Sequence, residues 1–117
     1  MTTYKRGQVV VVNVPFTGQA GTKLRPAVIV SADSFHRGIS DVIVCPISSQ
    51  PRYFEQPGPG DRPLVNWKLA GLRFRSTARV SNLLAIEKSL IQRVMGRLTP
   101  PDLQLLNTTL QGALDLR

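Results

Sequence analysis

The chain has 117 residues, 42% of them apolar and 19% charged, with 15 Lys+Arg against 7 Asp+Glu and a formal net charge of +8. That is the length of one small domain spanning 1–117, and the composition of a folded chain rather than a disordered one. It excludes two independent cores, and no apolar run approaches the roughly 20 residues of a bilayer span.

Met1 to Gly7 carries Lys5 and Arg6 with no signal-like apolar segment behind them, so no export signal is expected. Val9 to Val14 is nearly all valine, which predicts a strand buried on both faces. Pro15 to Lys23 predicts a loop, broken by its proline and glycines. Ala27 to Ser31 predicts the second strand, with Pro26 tolerated at its start. Ala32 to Ser40 is polar and holds Gly38, so it is a turn or a short helix. Val42 to Ile47 predicts the third strand, with Pro46 marking its end or an edge. Gln50 to Pro63 is broken around Gln56-Pro57-Gly58-Pro59-Gly60 and predicts a mobile loop. Leu64 to Trp67 is a short strand candidate. Lys68 to Leu72 reads as a turn of helix stopped by Gly71. Ser76 to Ala85 predicts another strand, and Lys88 to Val94 fits either a short helix or a strand. Thr99 at the N-cap, Pro100 at N1 and Asp102 at N3 come close to a capping box. Leu103, Leu106, Leu110 and Leu114 then recur on one helical face. The expected class is α+β, mainly β: a small antiparallel sheet, strongly curved or barrel-like, with one long helix packed on it.

Charge narrows the partner. Arginine supplies 11 of the 15 basic residues, and its planar fork suits phosphate better than an ammonium does. A polyanion is the favoured partner, and an acidic protein wrapping the same face is the second candidate. Cys45 is the single cysteine and lies in an apolar run. It has no internal partner for a disulfide and reads as a small buried hydrophobe in a reducing cytoplasm.

Most catalytic designs are excluded by what is missing. His36 is the only histidine, so one chain lacks a histidine base and acid together; it reads as a surface loop residue. The seven acids are dispersed and no pair has metal-site spacing, so no metal is expected. There is no Walker loop, no GxGxxG and no nucleophile elbow, and no cofactor is expected. What remains is Lys23-Leu24-Arg25-Pro26 at the mouth of one apolar run and Ser48-Ser49-Gln50 at the end of another. If the runs pair, the Arg25 guanidinium and the Ser48 hydroxyl meet at one sheet edge. RNA carries its own nucleophile, the 2′-hydroxyl, so a site need only align it, stabilise phosphoryl charge and protonate the leaving oxygen. Arg25 suits the charge and Ser48 the proton or a phosphate contact. The alternative is that Arg25 caps a strand and Ser48 opens a polar turn.

At these residues the chain resembles the MazF/PemK family of toxin ribonucleases from toxin–antitoxin modules. The resemblance rests on Lys5-Arg6-Gly7 before a valine strand, Pro15-Phe16-Thr17-Gly18, Leu24-Arg25-Pro26-Ala27-Val28-Ile29-Val30-Ser31 and Pro46-Ile47-Ser48-Ser49-Gln50. Ala70-Gly71-Leu72, Ser76 before a strand and Gly96-Arg97-Leu98 ahead of the last helix continue it in the same order. It implies a five- to six-stranded, SH3-like small barrel of the MazF/CcdB/PemK type with a C-terminal helix, and a homodimer. It also implies metal-independent cleavage of single-stranded RNA to 2′,3′-cyclic phosphate and 5′-hydroxyl ends, and a cognate antitoxin with an acidic, partly disordered segment. Arg25 falls on the family's catalytic arginine, and Ser48 on a position usually threonine. Gln8 stands where the family usually has aspartate. The loop from Phe16 to Lys23 is implied to contribute to the site.

RNA contacts are therefore expected at Phe16, Thr17, Lys23, Ser49, Gln50, Arg52 and Tyr53. Bases stack on aromatic or arginine planes, and Phe35, Phe54 and Trp67 are also available, Trp67 equally as core. The loop Gln50 to Arg62 is the first choice for base contacts. The alternative function is a non-enzymatic, CcdB-like toxin that binds and poisons gyrase; a weaker one is an RNA-binding barrel without cleavage. A pure protein binder needs neither Arg25 nor Ser48.

Overall fold

The computed structural model describes residues 3–15 and 21–116. It is mainly β, with seven strands and three helices. In chain order they are β1 (Gln8–Pro15), β2 (Thr22–Ile29), α1 (Asp33–His36), β3 (Asp41–Ser48), α2 (Arg52–Glu55), β4 (Asp61–Pro63), β5 (Thr77–Arg79), β6 (Leu84–Glu87), β7 (Ile91–Arg97) and α3 (Pro100–Leu114). All pairings are antiparallel, in the order β4-β5-β3-β2-β1-β7, with β6 also on β3. The expected barrel is an open one: the sheet curls, but β4 and β7 do not pair, and there are seven strands where the resemblance implied five or six.

Strand periodicity explains the curl. Val9, Val28, Cys45 and Ile47 point to one face, where Leu98, Leu106 and Leu110 cover them. Their neighbours Val10, Val12, Ala27, Ile29, Val42 and Val44 point to the other, where Ile86 of β6 and Ile91 of β7 close over them. Strands buried on both sides read as continuous valine and isoleucine, as β1 does. One face is thus roofed by α3, the other by the sheet's own bend.

Several boundaries depart from the sequence reading. β2 begins at Thr22 rather than Ala27 and stops at Ile29, because pairing to β1 runs from Val9↔Val28 out to Pro15↔Thr22. The segment read as a mobile loop contains α2 and β4, and Leu64 to Trp67 is not a strand. Ser76 to Ala85 is two strands split by the 3-10 turn Val80–Asn82. β5 and β6 share one edge of β3 with registers three residues apart, and that turn takes up the slip. Lys88–Leu90 is a 3-10 turn that leads into β7.

α3 starts at Thr99 as expected, but no side-chain cap bond forms. Prolines at the first two helical positions have already removed two unpaired donors. The buried Asp102 carboxylate turns outward instead and accepts the N–H groups of Val65 (2.9 Å) and Asn66 (2.7 Å). Of the leucine stripe, Leu106 and Leu110 are buried and Leu103 partly so, while Leu114 is exposed. Where the resemblance called for aspartate, Gln8 closes the entry turn: its Oε1 accepts the Lys5 N–H at 2.8 Å. Among the described residues no helix is long and apolar enough to cross a membrane.

Candidate functional site

The site begins where β2 and β3 part. Their ladder runs from Ile29↔Val44 to Ala27↔Pro46 and ends there. Pro26 and Pro46 flank the break, and neither has an N–H with which to extend a ladder. Beyond it β2 follows β1, while β3 follows β5, with Ile47 opposite Ala78 and Ser48 opposite Thr77. The strands open as a V, and the β2–β3 register continued past the break sets Arg25 against Ser48.

A cleft of about 490 Å³ fills this opening. Lys23, Arg25 and Pro26 line one side; Ile47, Ser48, Ser49 and Gln50 line the other. Leu72, Arg73, Phe74 and Ser76 from the β4–β5 connection, with Met95 of β7, complete it. That back wall depends on two glycines. A Cβ at Gly71, whose φ is +93°, would sit 2.5 Å from the Met95 carbonyl oxygen, and one at Gly96 would sit 2.4 Å from that of Ala70. Only hydrogens on both sides let the turn press against β7.

The electrostatics are one-sided. Among the described residues, three cations, Lys23, Arg25 and Arg73, line the cleft, and no carboxylate, histidine or thiol does. The ion pair of a basic side chain other than histidine with a carboxylate is, among the described residues, Arg79–Asp61 (3.0 Å), and His36 Nε2 lies 3.9 Å from Asp33 Oδ1; both contacts are outside the lining. Ser48 Oγ accepts the Gln50 N–H at 3.2 Å. Its own proton stays free to donate into the cleft.

Of the residues named from sequence, Lys23, Arg25, Ser48, Ser49 and Gln50 come together in this cleft. Phe16 and Thr17 lie outside the described residues. Arg52 and Tyr53 are not on the cleft lining but on the adjoining α2: the Arg79 guanidinium stacks 3.7 Å from the Tyr53 ring centre, and that of Arg52, 4.7 Å from it, donates to the Tyr53 hydroxyl at 2.6 Å. Arg75 lies over Phe54 at 4.2 Å. Trp67 packs against the core. Phe35 is exposed on α1, away from the lining.

Sequence reasoning missed Arg73, Phe74 and Arg75. The available signal was an aromatic between two arginines just behind Gly71-Leu72, with no turn or core role to explain it. His36 is a correction. It is 2% exposed rather than a surface residue, with Nδ1 2.8 Å from Ser31 Oγ and Nε2 2.8 Å from the Tyr4 carbonyl. The carbonyl can only accept, so Nε2 carries the proton, and the ring ties the N-terminal segment to α1. Cys45 is fully buried, and burial pushes its thiol up to about 12.

The sequence profile of the PemK-like, MazF-like toxins of type II toxin–antitoxin systems matches residues 5–114. No curated protein matches the chain in sequence. Among solved structures, a mycobacterial endoribonuclease in complex with its cognate antitoxin superposes with TM-score 0.74 at 21% identity, covering 100% of this chain and 98% of that one. The MazE–MazF complex of Deinococcus radiodurans (Form-II) gives 0.78 at 17% identity and 100% of both chains. The Mycobacterium tuberculosis toxin MazF-mt6 gives 0.71 at 19%, over 92% of this chain and 98% of that one. At such identities the likeness is one of fold.

Proposed function

Because the chain belongs to the PemK-like, MazF-like toxins of type II toxin–antitoxin systems, we propose that it is a sequence-specific endoribonuclease that cuts single-stranded RNA without a metal ion. The observation that carries the reading is the cleft at the β2–β3 splay, where Arg25 and Ser48 share a lining that, among the described residues, has three cations and no carboxylate. In the proposed reaction the 2′-oxygen attacks the adjacent phosphorus and the bond to the 5′-oxygen breaks. The 2′-proton leaves to water in the open cleft, and the departing oxygen takes the Ser48 Oγ proton, which Ser48 regains from water. Arg25 holds the phosphoryl oxygens as their charge rises. The products are a 2′,3′-cyclic phosphate and a 5′-hydroxyl.

Lys23, Ser49 and Gln50 would hold the flanking phosphates and sugars, and the Arg52–Tyr53–Arg79 cluster offers planes for bases. Phe16 and Thr17 join them in the proposal on the family resemblance alone. The partners proposed are a second copy of the chain and an antitoxin whose acidic, partly disordered segment competes with RNA for the basic cleft. The compartment proposed is the cytoplasm.

The test is incubation with a long single-stranded RNA in chelator, with the ends mapped. The 5′ ends should accept label from polynucleotide kinase without phosphatase treatment. Arg25→Ala should slow cleavage by about 10²–10³-fold, the loss expected for one transition-state charge clamp. Ser48→Ala should cost about 10²-fold or more if it relays the proton. Arg25→Ala should melt with wild-type protein, since among the described residues its side chain makes no ion pair or hydrogen bond; Ser48→Ala loses only the exposed contact with the Gln50 N–H and should melt within a few degrees of it. Wild-type cleavage rates in both variants would overturn the site. A wild-type protein that leaves RNA intact but inhibits gyrase would favour the CcdB-like alternative.

A further inference from the structure

We infer that Phe74 is a base-stacking residue: its ring takes a nucleobase next to the scissile phosphate and so contributes to the choice of cleavage sequence. The inference rests on the endoribonuclease reading and adds to it a residue outside the set named from sequence.

Phe74 lines the same cleft as Arg25 and Ser48, yet it is 66% exposed. A large ring left open to water in a charged cleft is available to a planar ligand. Its backbone is nonetheless held from the C-terminal side. Ser76 Oγ donates to the Phe74 carbonyl at 2.7 Å. The next residue, Arg75, is clamped over the Phe54 ring at 4.2 Å, which ties the connection to α2. The other side neighbour, Arg73, faces the cleft. The ring itself has no cation stacked on it among the described residues, in contrast to Tyr53, Phe54 and Trp67. An uncovered aromatic that shares its cleft with the guanidinia of Arg25 and Arg73, on a backbone that is held, fits one ligand chemistry well: a flat apolar ring on an anionic chain, which is an unstacked nucleotide. An acidic peptide with an apolar anchor is the competing occupant. It is disfavoured here because the ring lies within the lining that holds the hydroxyl and the guanidinium suited to a phosphodiester.

The experiment measures binding of short RNAs that span a mapped cleavage site, by fluorescence anisotropy, on an Arg25→Ala background so that nothing is cut. Cleavage rates are measured in parallel with Arg25 restored. Phe74→Ala should weaken binding about 5- to 100-fold, the range for losing one base stack. Phe74→Trp should keep wild-type binding, whereas Phe74→Leu, apolar but not flat, should behave like alanine. At subsaturating RNA, with Arg25 restored, the cleavage rate of Phe74→Ala should fall by about the same factor as its affinity. Coupling decides the matter: removing the base at one position beside the cut should cost the Phe74 protein the same factor, and cost Phe74→Ala nothing further. Unchanged affinity in Phe74→Ala, or no position that couples, overturns the inference, whatever the variant does to antitoxin binding. If wild-type protein binds RNA with this coupling but never cuts it, the endoribonuclease reading fails and the stacking role stands.

Discussion

Asp102→Ala should loosen the wall of the cleft from outside it. The carboxylate is 1% exposed and accepts two backbone N–H groups, from Val65 and Asn66. Those residues begin the connection that ends in Arg73 and Phe74, so one side chain of α3 anchors the segment that lines the site. A hydrogen bond to a charged group contributes about 1.5–3 kcal/mol. The lower figure applies here, because Val65 lies at the surface and water can reach its N–H once the carboxylate is gone. Removing the buried charge also returns part of its desolvation cost. Two bonds then come to about 3 kcal/mol, and loss of a negative charge from the first turn of α3 adds about 0.3–1 kcal/mol. For a chain of this size each kcal/mol moves the midpoint by roughly 4 °C, so thermal denaturation followed by circular dichroism should show a fall of about 12–16 °C. Asp102→Asn keeps one acceptor and should lose about half as much. RNA affinity should fall in both variants at temperatures where they remain folded, with the single-turnover rate preserved. A shift under about 3 °C for Asp102→Ala would show that the two contacts add nothing over water, and the strut argument would fail.

Two further outcomes test the core. Thr77 is fully buried, and its hydroxyl has no hydrogen-bond partner among the described residues; Thr77→Val keeps the shape and removes the orphan, so it should raise the denaturation midpoint by several degrees, about 1 kcal/mol. Cys45 should resist alkylation in the native state from pH 7 to 9 and react at once in denaturant, because burial lifts its thiol from an ordinary 9.0 to about 12. The sign follows: the folded state favours the neutral thiol, so this contribution is complete below pH 9 and is lost as pH rises toward about 12. Fast native labelling at pH 8, or a Thr77→Val protein less stable than wild type, would count against this description of the core.

How much of this was legible in the sequence varied with how local the cause was. The valine strand, the third strand and the C-terminal helix were legible because burial on both faces and a leucine stripe leave direct periodic traces. The β5–β6 split was not, since it comes from two strands sharing one edge of β3, and only the partner reveals that the register slips. Asp102 was misassigned for a related reason. Its position in the helix fits a cap, but the donors it serves are 36 and 37 residues away. His36 looked like a loop residue because Ser31 and Tyr4, which bury and bond it, lie on other segments. Within the cleft, the placing of Arg25 and Ser48 was legible because Arg25 precedes Pro26 at the mouth of one apolar run and Ser48 ends another, two residues past Pro46. Phe74 was not, because an exposed aromatic carries no periodic mark.

The arginines show why net charge alone could not locate the site. Arg6 is committed to structure: its side chain donates to the Val30 carbonyl at 2.9 Å and to Asn107 of α3. Arg62 donates to Thr109 of α3 at 2.8 Å, and Arg79 pairs with Asp61 while stacking on Tyr53. These three tie the helix and the short strands to the sheet. Lys23, Arg25 and Arg73 make no side-chain hydrogen bond or ion pair among the described residues, and they converge where two prolines end a ladder. Cations without protein partners keep their attraction for an outside anion, and here they line the opening where β2 and β3 part. The break in the sheet is thus what separates the charge that holds the fold from the charge that can meet RNA. A substitution that let β2 and β3 zip past Ala27 and Pro46 would act on the site even though it removed no functional group.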